Sequence, residues 1–206
     1  MQTTVLSTDD PQAIQSALDI LHLGGLVAFP TDTVYGLAAD FRNEAAIASL
    51  YAAKGRNISK AIALLIGSVE QLEEVTTGFS AAAQKLAARF WPGALTLIVL
   101  RRPELPSLLS ALPTIGVRMP DHAFALRLLQ ASGPLAVTSA NRSGAENTLT
   151  ARDVLNQLVG QVDMVLDGGK VPGGIPSTVV DCTIQDVKVL REGAISAEAI
   201  LAALGR

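Results

Sequence analysis

Short apolar runs with the pattern of buried strands alternate with segments of helical periodicity along the chain. This alternation constrains the fold more than any other feature of the sequence. Eight runs have the pattern, at residues 26–29, 62–66, 95–100, 115–118, 135–138, 163–166, 178–183 and 187–191. Continuous apolar runs are typical of strands that are covered on both faces. The sequence therefore predicts an α/β fold with one large twisted mixed sheet and flanking helices.

Residues with helix-capping chemistry precede the helical segments and indicate where each helix begins. The predicted N-cap residues are Asp10 (with Pro11 at the first helical position), Asn43, Ser80, Asp121, Thr150 and Ser196. Ser68 and Gln71 have the spacing of a capping box before a short helix. No internal repeat, low-complexity tract or composition change marks a linker, so we expect residues 1–206 to form a single domain.

The composition argues against several classes of protein. Hydrophobic residues make up 49% of the 206 residues and charged residues 17%, which excludes intrinsic disorder. The net charge of -3 argues against a dedicated nucleic-acid-binding or polybasic membrane protein. A single cysteine cannot form an internal disulfide, and with only two histidines a zinc site is not expected. Because the apolar runs fall far short of the roughly 20 residues of a membrane span and the first residues do not resemble a signal peptide, we expect a cytoplasmic protein without membrane association.

Polar residues cluster directly after several predicted strands and at the end of the second helix. In open α/β sheets ligands bind at the carboxyl ends of strands, so these positions are the first candidates for a site. They are Thr31, Asp32, Thr33, Lys54, Arg56, Lys60, Arg118, Thr138, Ser139, Asn141, Ser177 and Arg191. Hydroxyl and amide groups combined with several Lys and Arg side chains suit an anionic ligand with several oxygens, such as a nucleotide phosphate or a carboxylate.

Each group also has a structural interpretation, which the pattern alone leaves open. The residues at 31–33 are typical of turns, the cations at 54–60 can complement a helix dipole, and Ser139 with Asn141 can form an ordinary turn. The glycine-rich segment around Lys170 does not match the phosphate-binding pattern GxxxxGK[ST]. His22 and His122 have no nucleophile nearby in sequence, so a Ser-His-Asp hydrolase is not supported.

Seven motifs occur in order along the chain: FPTDTVYGL at 29–37, KxR at 54–56, FWPGALTL at 90–97, VRMP at 117–120, SxNxSG at 139–144, STVVD at 177–181 and LREG at 190–193. With these motifs the sequence closely resembles the YrdC-type threonylcarbamoyl-AMP synthase family over about residues 10–200. Longer members of that family carry an additional C-terminal domain, and the resemblance is to the short form.

The resemblance implies a deep electropositive cavity in which L-threonine, bicarbonate and ATP give L-threonylcarbamoyl-AMP and pyrophosphate. Other proteins of the tRNA-modification pathway then use the product to modify the adenosine beside the anticodon. Threonine must first form a carbamate, which is an anion and must attack the anionic α-phosphate of ATP. Neutralisation by clustered cations and positioning would therefore lower the barrier. Mg²⁺ is expected as the partner of ATP, but no carboxylate stands out as its ligand, so metal ligands remain unassigned.

The resemblance also implies roles for individual residues. The catalytic set is Lys54, Arg56, Ser139 and Asn141; the threonine set is Thr33, Arg118, Thr138 and Ser177; the ATP set is Arg56, Lys60, Thr114, Ser139, Asn141 and Arg191. The chain departs from the family at three positions. Asn57 and Ala61 stand where relatives have prolines, and Leu65 stands where many have a histidine for threonine.

Two other functions remain as alternatives. The cavity could serve a YrdC-like paralogue that binds RNA weakly without synthase activity, although the net charge and the 4% aromatic content argue against a strong RNA platform. The related carbamoyl-adenylating domain of hydrogenase maturation belongs to longer chains with zinc-finger cysteines, which this sequence lacks.

Overall fold

A computed structural model describes residues 2–205; Met1 and Arg206, which the predicted domain 1–206 includes, lie outside the described residues. Within this part of the chain, eleven strands form one mixed sheet. The order is β1-β9-β2-β3-β8-β4-β7-β6-β10-β11, and β5 pairs with β6 beside this path. The prediction of an α/β fold with a large mixed sheet is confirmed. None of the described helices is long and apolar enough to cross a membrane.

The strands and helices have the following bounds. The strands are β1 (Thr4–Ser7), β2 (Val27–Phe29), β3 (Gly36–Asp40), β4 (Ala63–Leu65), β5 (Thr76–Gly78), β6 (Leu95–Arg101), β7 (Thr114–Arg118), β8 (Leu135–Ser139), β9 (Met164–Asp167), β10 (Thr178–Asp181) and β11 (Lys188–Arg191). The helices are α1 (Ala13–His22), α2 (Glu44–Lys54), α3 (Ala81–Phe90), α4 (Ala123–Ser132), α5 (Ala151–Leu158) and α6 (Ala197–Ala203), with 3-10 turns at Val69–Glu74 and Ser107–Leu109.

The helices cover the two faces of the sheet unequally. Helices α2, α3, α5 and α6 pack on one face and bury a cluster that includes Leu37, Leu64, Leu97, Val117 and Val180. Helices α1 and α4 pack on the other face, against Phe29, Ala38, Leu135 and Met164 from strands β2, β3, β8 and β9. The part of that second face formed by β4, β7, β6 and β10 therefore carries neither of its two helices.

Strand alternation explains which residues face the open area. Successive side chains of a strand point to opposite faces. In β6 the core residues Leu97 and Val99 alternate with Thr96 and Ile98, which face the open area. In β7 the core residue Val117 lies between two open-area residues, Gly116 and Arg118. The open area is thus built from polar, small and medium-sized side chains.

Three strands were not predicted from the sequence: β1, β3 and β5. The segment that forms β3, GLAAD, consists mainly of small residues without β-branched or aromatic side chains, which give strands their usual signal. Strand β5 is three residues long, and β1 is an exposed strand at the edge of the sheet. In all three the strand forms because neighbouring strands supply backbone partners.

The predicted caps at Asn43, Ser80, Thr150 and Ser196 are confirmed, since each side chain accepts a hydrogen bond from the first turn of its helix. Three cap predictions were wrong. Helix α1 begins after Gln12, because the Asp10 carboxylate instead accepts from the Gln12 amide at 2.8 Å and closes a turn. His122 rather than Asp121 caps α4 through the Ala125 amide. Ser68 makes no cap bond, and Gln71 Oε1 accepts from the Gly67 amide.

Candidate active site

A cavity of about 450 Å³ lies over the open part of the sheet face. Thr96, Gly116, Val137 and Val179 form part of its floor, and loop residues that include Pro176 form its walls. Pockets of about 300–1,000 Å³ hold small-molecule ligands in proteins. The cavity therefore lies across a face of the sheet. The sequence pattern instead predicted a site along the edge at which the strands end.

Arg118, the last residue of β7, lies at one end of the cavity and is 7% exposed. Its Nε donates to the Gly93 carbonyl oxygen at 2.9 Å, its Nη1 donates to Thr33 Oγ1 at 2.9 Å, and its Nη2 pairs with Asp32. A guanidinium has five N–H donors, so one remains on each terminal nitrogen. Two such N–H groups can bind a carboxylate bidentately. Burial lowers the pKa of Arg118 and Asp32 opposes this, but a guanidinium stays charged.

The hydroxyls of Thr31 and Thr33 lie 3.1 Å apart beside Arg118. Thr31 Oγ1 donates its proton to the Val34 carbonyl oxygen at 2.6 Å. Its oxygen accepts from the backbone N–H groups of Thr33 and Val34. Because the Thr31 proton is committed to the backbone, the Thr33 hydroxyl is the one that can turn its proton towards a ligand.

A second hydroxyl pair lies on the other side of Arg118. The β6–β7 register sets Leu97 opposite Val117, which puts Thr96 beside Arg118. Thr96 Oγ1 lies 2.8 Å from Ser177 Oγ, and Arg191 Nη2 donates to the Ser177 carbonyl oxygen at 2.8 Å. Only one of these two hydroxyls can donate to the other, so one donor remains for a ligand.

Ser139 and Arg56 lie towards the opposite end of the cavity, and Thr138 precedes Ser139 along β8. Leu65 lies opposite both Arg118 and Leu135, so Ser139 is four residues further along β8. At about 3.3 Å per residue, the backbone positions of Arg118 and Ser139 are roughly 13 Å apart along the strand direction, and the Arg118 side chain shortens this separation by reaching Thr33.

Arg56 follows α2 and is anchored to the cavity wall. Its Nε donates to the Lys60 carbonyl oxygen at 3.2 Å and its Nη2 donates to the Ala61 carbonyl oxygen at 2.9 Å. Burial lowers the pKa of Arg56, yet the guanidinium stays charged. Three N–H donors remain for an anion in the cavity.

Lys54 and Asn141 are brought next to each other but do not line the cavity. The Lys54 ammonium donates to the carbonyl oxygens of Ser139 and Asn141, behind the turn that presents Ser139 to the cavity. Asn141 Nδ2 donates to the carbonyl oxygen of Ala145 at 2.8 Å. Their side chains are therefore bonded to the segment beside the cavity, and their catalytic role stays a prediction.

Lys60 and Thr114 also lie outside the cavity lining. Lys60 is exposed, and its carbonyl oxygen accepts from the Tyr51 hydroxyl at 3.0 Å. Thr114 begins β7 and lies opposite Leu100, at the end of the strand away from Arg118. Neither residue lines the cavity, but both are near its Arg56 and Ser139 end: Thr114 and Ser139 are each four residues along their strands from the level of Arg118 and Leu135, and the Lys60 carbonyl oxygen accepts from Arg56 Nε.

Asn57, Ala61 and Leu65, at which the resemblance implies other residues, lie in or beside the cavity wall. Leu65 and Ala61 line it. Asn57 Oδ1 accepts from the Ser59 amide at 2.9 Å and closes a turn within the loop that follows Arg56. A side-chain hydrogen bond thus shapes this loop, and an apolar side chain stands where the resemblance implies a histidine.

The lining carries three arginines, Arg56, Arg118 and Arg191, and no Asp or Glu. No group of three or more His, Cys, Asp or Glu side chains within residues 2–205 could hold a metal ion. Protein-held Mg²⁺ needs carboxylate ligands, so the cavity residues do not fit a metal bound by the protein itself. The arrangement fits anionic ligands that bring their own counter-cation.

The cavity residues that were not singled out from the sequence as site residues include Thr96, Gly116 and Asn147. Thr96 had a usable signal, because it is the one hydroxyl residue inside the apolar run at 95–100. Gly116 would place a Cβ 3.0 Å from Thr96 Cγ2, so glycine there keeps the floor of the cavity open. Asn147 lies in a loop without any distinguishing pattern.

Comparison with known proteins places the chain in a family. The Sua5/YciO/YrdC family model, described as telomere recombination, matches residues 19–193. The chain belongs to the Sua5/YciO/YrdC family. This confirms the resemblance to YrdC-type proteins that the ordered motifs indicated.

Curated members of the Sua5/YciO/YrdC family are similar along nearly the whole chain. The threonylcarbamoyl-AMP synthase of Bacillus subtilis is 42% identical over 98% of this chain and 59% of its own length. That of Pyrococcus abyssi is 39% identical over 93% of this chain and 57% of its own length. A putative threonylcarbamoyl-AMP synthase of Mycobacterium tuberculosis is 39% identical, over 98% of this chain and 96% of its own. The chain thus spans less than three fifths of the first two relatives.

Solved structures of the family have the same fold. Sua5 of P. abyssi in complex with L-threonine has a TM-score of 0.92 and 36% identity, over 99% of this chain and 60% of that chain. YciO of Escherichia coli has a TM-score of 0.85 and 28% identity, over 97% of this chain and 98% of that chain.

Proposed function

We propose that the protein is an L-threonylcarbamoyladenylate synthase, a nucleotidyltransferase that converts L-threonine, bicarbonate and ATP into threonylcarbamoyl-AMP, pyrophosphate and water. The observation that carries the proposal is the cavity with a carboxylate-binding corner at Arg118 and a second cationic end at Arg56. Relatives named as threonylcarbamoyl-AMP synthases support it. So does the likeness to a Sua5 structure that contains L-threonine.

The Arg118 end suits the amino acid. The two remaining N–H groups of Arg118 bind the threonine carboxylate, and the Thr96–Ser177 pair donates to the same carboxylate from the side. Thr33 bonds the threonine hydroxyl. Thr138 lines the cavity between this end and the ATP end, within reach of the substrate.

The Arg56 end suits the phosphates of ATP. Arg56 holds the α-phosphate and Ser139 donates a hydroxyl hydrogen bond to it. Arg191 adds a third cation to the cavity. Because the cavity residues do not offer metal ligands, Mg²⁺ enters only as the counter-ion of ATP, held by phosphate oxygens and water.

The cavity lowers the barrier by neutralising charge. The threonine amine, as a neutral nucleophile, combines with bicarbonate to give the carbamate, with loss of water. A carbamate oxygen then attacks the α-phosphorus and pyrophosphate leaves. Both reactants are anions, so fixed guanidinium groups favour their approach and the developing charge. The chain uses no covalent nucleophile in this scheme.

Threonylcarbamoyl-AMP is a mixed anhydride and hydrolyses unless it is consumed. We therefore expect downstream tRNA-modification proteins to take it up, in the cytoplasm where tRNA and ATP are available. Weak direct RNA binding is not required for this reaction.

Pyrophosphate release tests the proposal. The purified protein is incubated with ATP, L-threonine and ¹⁴C-bicarbonate, and pyrophosphate and labelled product are followed. We expect release that depends on both threonine and bicarbonate, and a labelled product that contains AMP. ATP hydrolysis independent of threonine, or RNA binding without any pyrophosphate release, would overturn the proposal.

A further inference from the structure

Lys54 is the last residue of α2 and is buried, with 3% of its surface exposed. Gly55 follows in a left-handed conformation (φ 57°), which ends the helix and turns the chain towards Arg56. Although Lys54 belongs to the same KxR motif as Arg56, only Arg56 lines the cavity. The two cations therefore face different surroundings.

All N–H donors of the Lys54 side chain are used within the protein. The ammonium donates to the carbonyl oxygens of Ser139 and Asn141, and Asn141 Oδ1 lies 3.4 Å away as a third acceptor. An ammonium has three N–H groups, so these contacts leave no donor for a ligand in the cavity.

The backbone of Lys54 contacts the same segment. Its carbonyl oxygen accepts from the Ser143 amide at 2.9 Å. Asn141 Nδ2 in turn donates to the carbonyl oxygens of Arg142 at 3.0 Å and Ala145 at 2.8 Å. Lys54 thus holds the segment 139–145 on the side away from the cavity, whereas Ser139 lines the cavity.

A buried cation is costly without a partner, and no acidic side chain within residues 2–205 forms an ion pair with Lys54. Burial, and to a smaller extent the nearby Arg56 cation, lower the pKa of Lys54 to about 7. The carbonyl oxygens of the 139–141 turn therefore stabilise the buried Lys54 cation. The cation in turn holds these carbonyl groups in place.

We propose that Lys54 is a positioning residue: it fixes the 139–141 turn so that Ser139 faces the ligand, and it makes no contact with substrate. The kinetic part of this inference rests on the proposed synthase function. The structural part, the order of the turn, does not.

The structural part is tested by amide hydrogen exchange on Lys54→Met. We expect exchange in residues 139–145 to accelerate by about tenfold or more, since the turn loses its charged donor. The matched control is Lys85→Met, at an exposed lysine on α3, which should leave this segment unchanged. Unchanged exchange in Lys54→Met would overturn the inference.

The kinetic part is tested by a double-mutant cycle with Ser139→Ala. If Lys54 acts through Ser139, Lys54→Met should lower kcat/KM by about a hundredfold in the wild-type background and by roughly tenfold or less in the Ser139→Ala background. If Lys54 contacted substrate independently, the two losses would multiply, and the inference would be wrong.

If Lys54→Met does not fold, hydrogen exchange at Lys54 is measured in the wild-type protein instead. With ¹⁵N-labelled lysine, the Lys54 ammonium should give a slowly exchanging signal without ligand, and ATP should not replace its acceptors. Rapid exchange of these hydrogens would contradict the bonds to the turn. A wild-type enzyme that releases no pyrophosphate would overturn the synthase function alone, since the exchange measurements still decide the role of Lys54.

Discussion

The two halves of one sheet face have different side chains and different neighbours. In the covered half, Phe29, Ala38 and Leu135 pack against α1 and α4 and are buried. In the open half, Thr96, Gly116 and Arg118 occupy the corresponding alternating positions and line the cavity. The cavity thus lies where α1 and α4 do not cover the sheet, and the strands there carry polar, small or medium-sized residues at the alternate positions that face it.

The largest expected effect comes from replacing Arg118, the buried cation of the open half. Arg118→Met leaves Asp32, whose side chain is 14% exposed, without its partner, so we expect a loss of about 3 kcal/mol in the free energy of unfolding, at the low end of the range for breaking a buried ion pair. The double variant Arg118→Met, Asp32→Asn should recover much of that loss but release no threonine-dependent pyrophosphate. Urea unfolding and the turnover assay measure the two effects. Recovered turnover in the double variant would contradict the role of Arg118 in binding threonine.

Arg56 tests the other end of the cavity. We expect Arg56→Ala to raise the barrier by about 3–4 kcal/mol, a hundredfold to thousandfold loss in rate, with little change in Tm. Arg56→Lys should recover only part of the rate, because an ammonium cannot reproduce the two-pronged guanidinium contact. Normal turnover in Arg56→Ala would return this residue to a structural role at the end of α2.

The covered and open halves should also differ in how much packing they contribute. Leu135→Ala removes a buried side chain beneath α1 and α4, and we expect it to cost about 2–5 kcal/mol in the free energy of unfolding. Ile98→Ala, on the cavity floor, should cost well under half as much. Equal losses in urea unfolding would indicate that the floor is packed like the core.

Substrate choice gives the smallest expected effect. Valine matches threonine in shape but lacks the hydroxyl, so the Thr33 hydroxyl would lose its partner in a buried corner. We expect valine to lose about 1–3 kcal/mol in kcat/KM, and serine to be accepted better than valine. Equal pyrophosphate release with valine and threonine would remove Thr33 from the threonine site.

The sequence predicted each strand of the open half, β4, β6, β7 and β10, but missed β3 in the covered half. Apolar strands such as β2, β6 and β8 were recognised because burial on both faces leaves a continuous apolar run. Strand β3 was missed because its small residues carry no strand propensity. Gly36, which begins it, would place a Cβ 2.8 Å from Val137 Cγ1, so small residues there follow from close packing that a sequence does not display.

The sequence identified many residues of the cavity, but not which side of each turn faces it. Thr33, Arg118, Ser139, Ser177 and Arg191 line one cavity, as grouped. Sequence motifs do not distinguish the side of a turn that faces a ligand from the side that faces the core. Lys54 and Asn141 were therefore grouped with the contacts, although they lie behind the 139–141 turn.

In the proposed arrangement, the open half of the sheet face holds threonine at Arg118 and the ATP phosphates at Arg56 and Ser139. A crystal structure of the protein with L-threonine and a non-hydrolysable ATP analogue tests it most directly. We predict the threonine carboxylate on Arg118, the α-phosphate within hydrogen-bonding distance of Arg56 and Ser139, and no ligand atom within hydrogen-bonding distance of Lys54 Nζ. Threonine bound away from Arg118, or a phosphate oxygen on Lys54, would contradict the account.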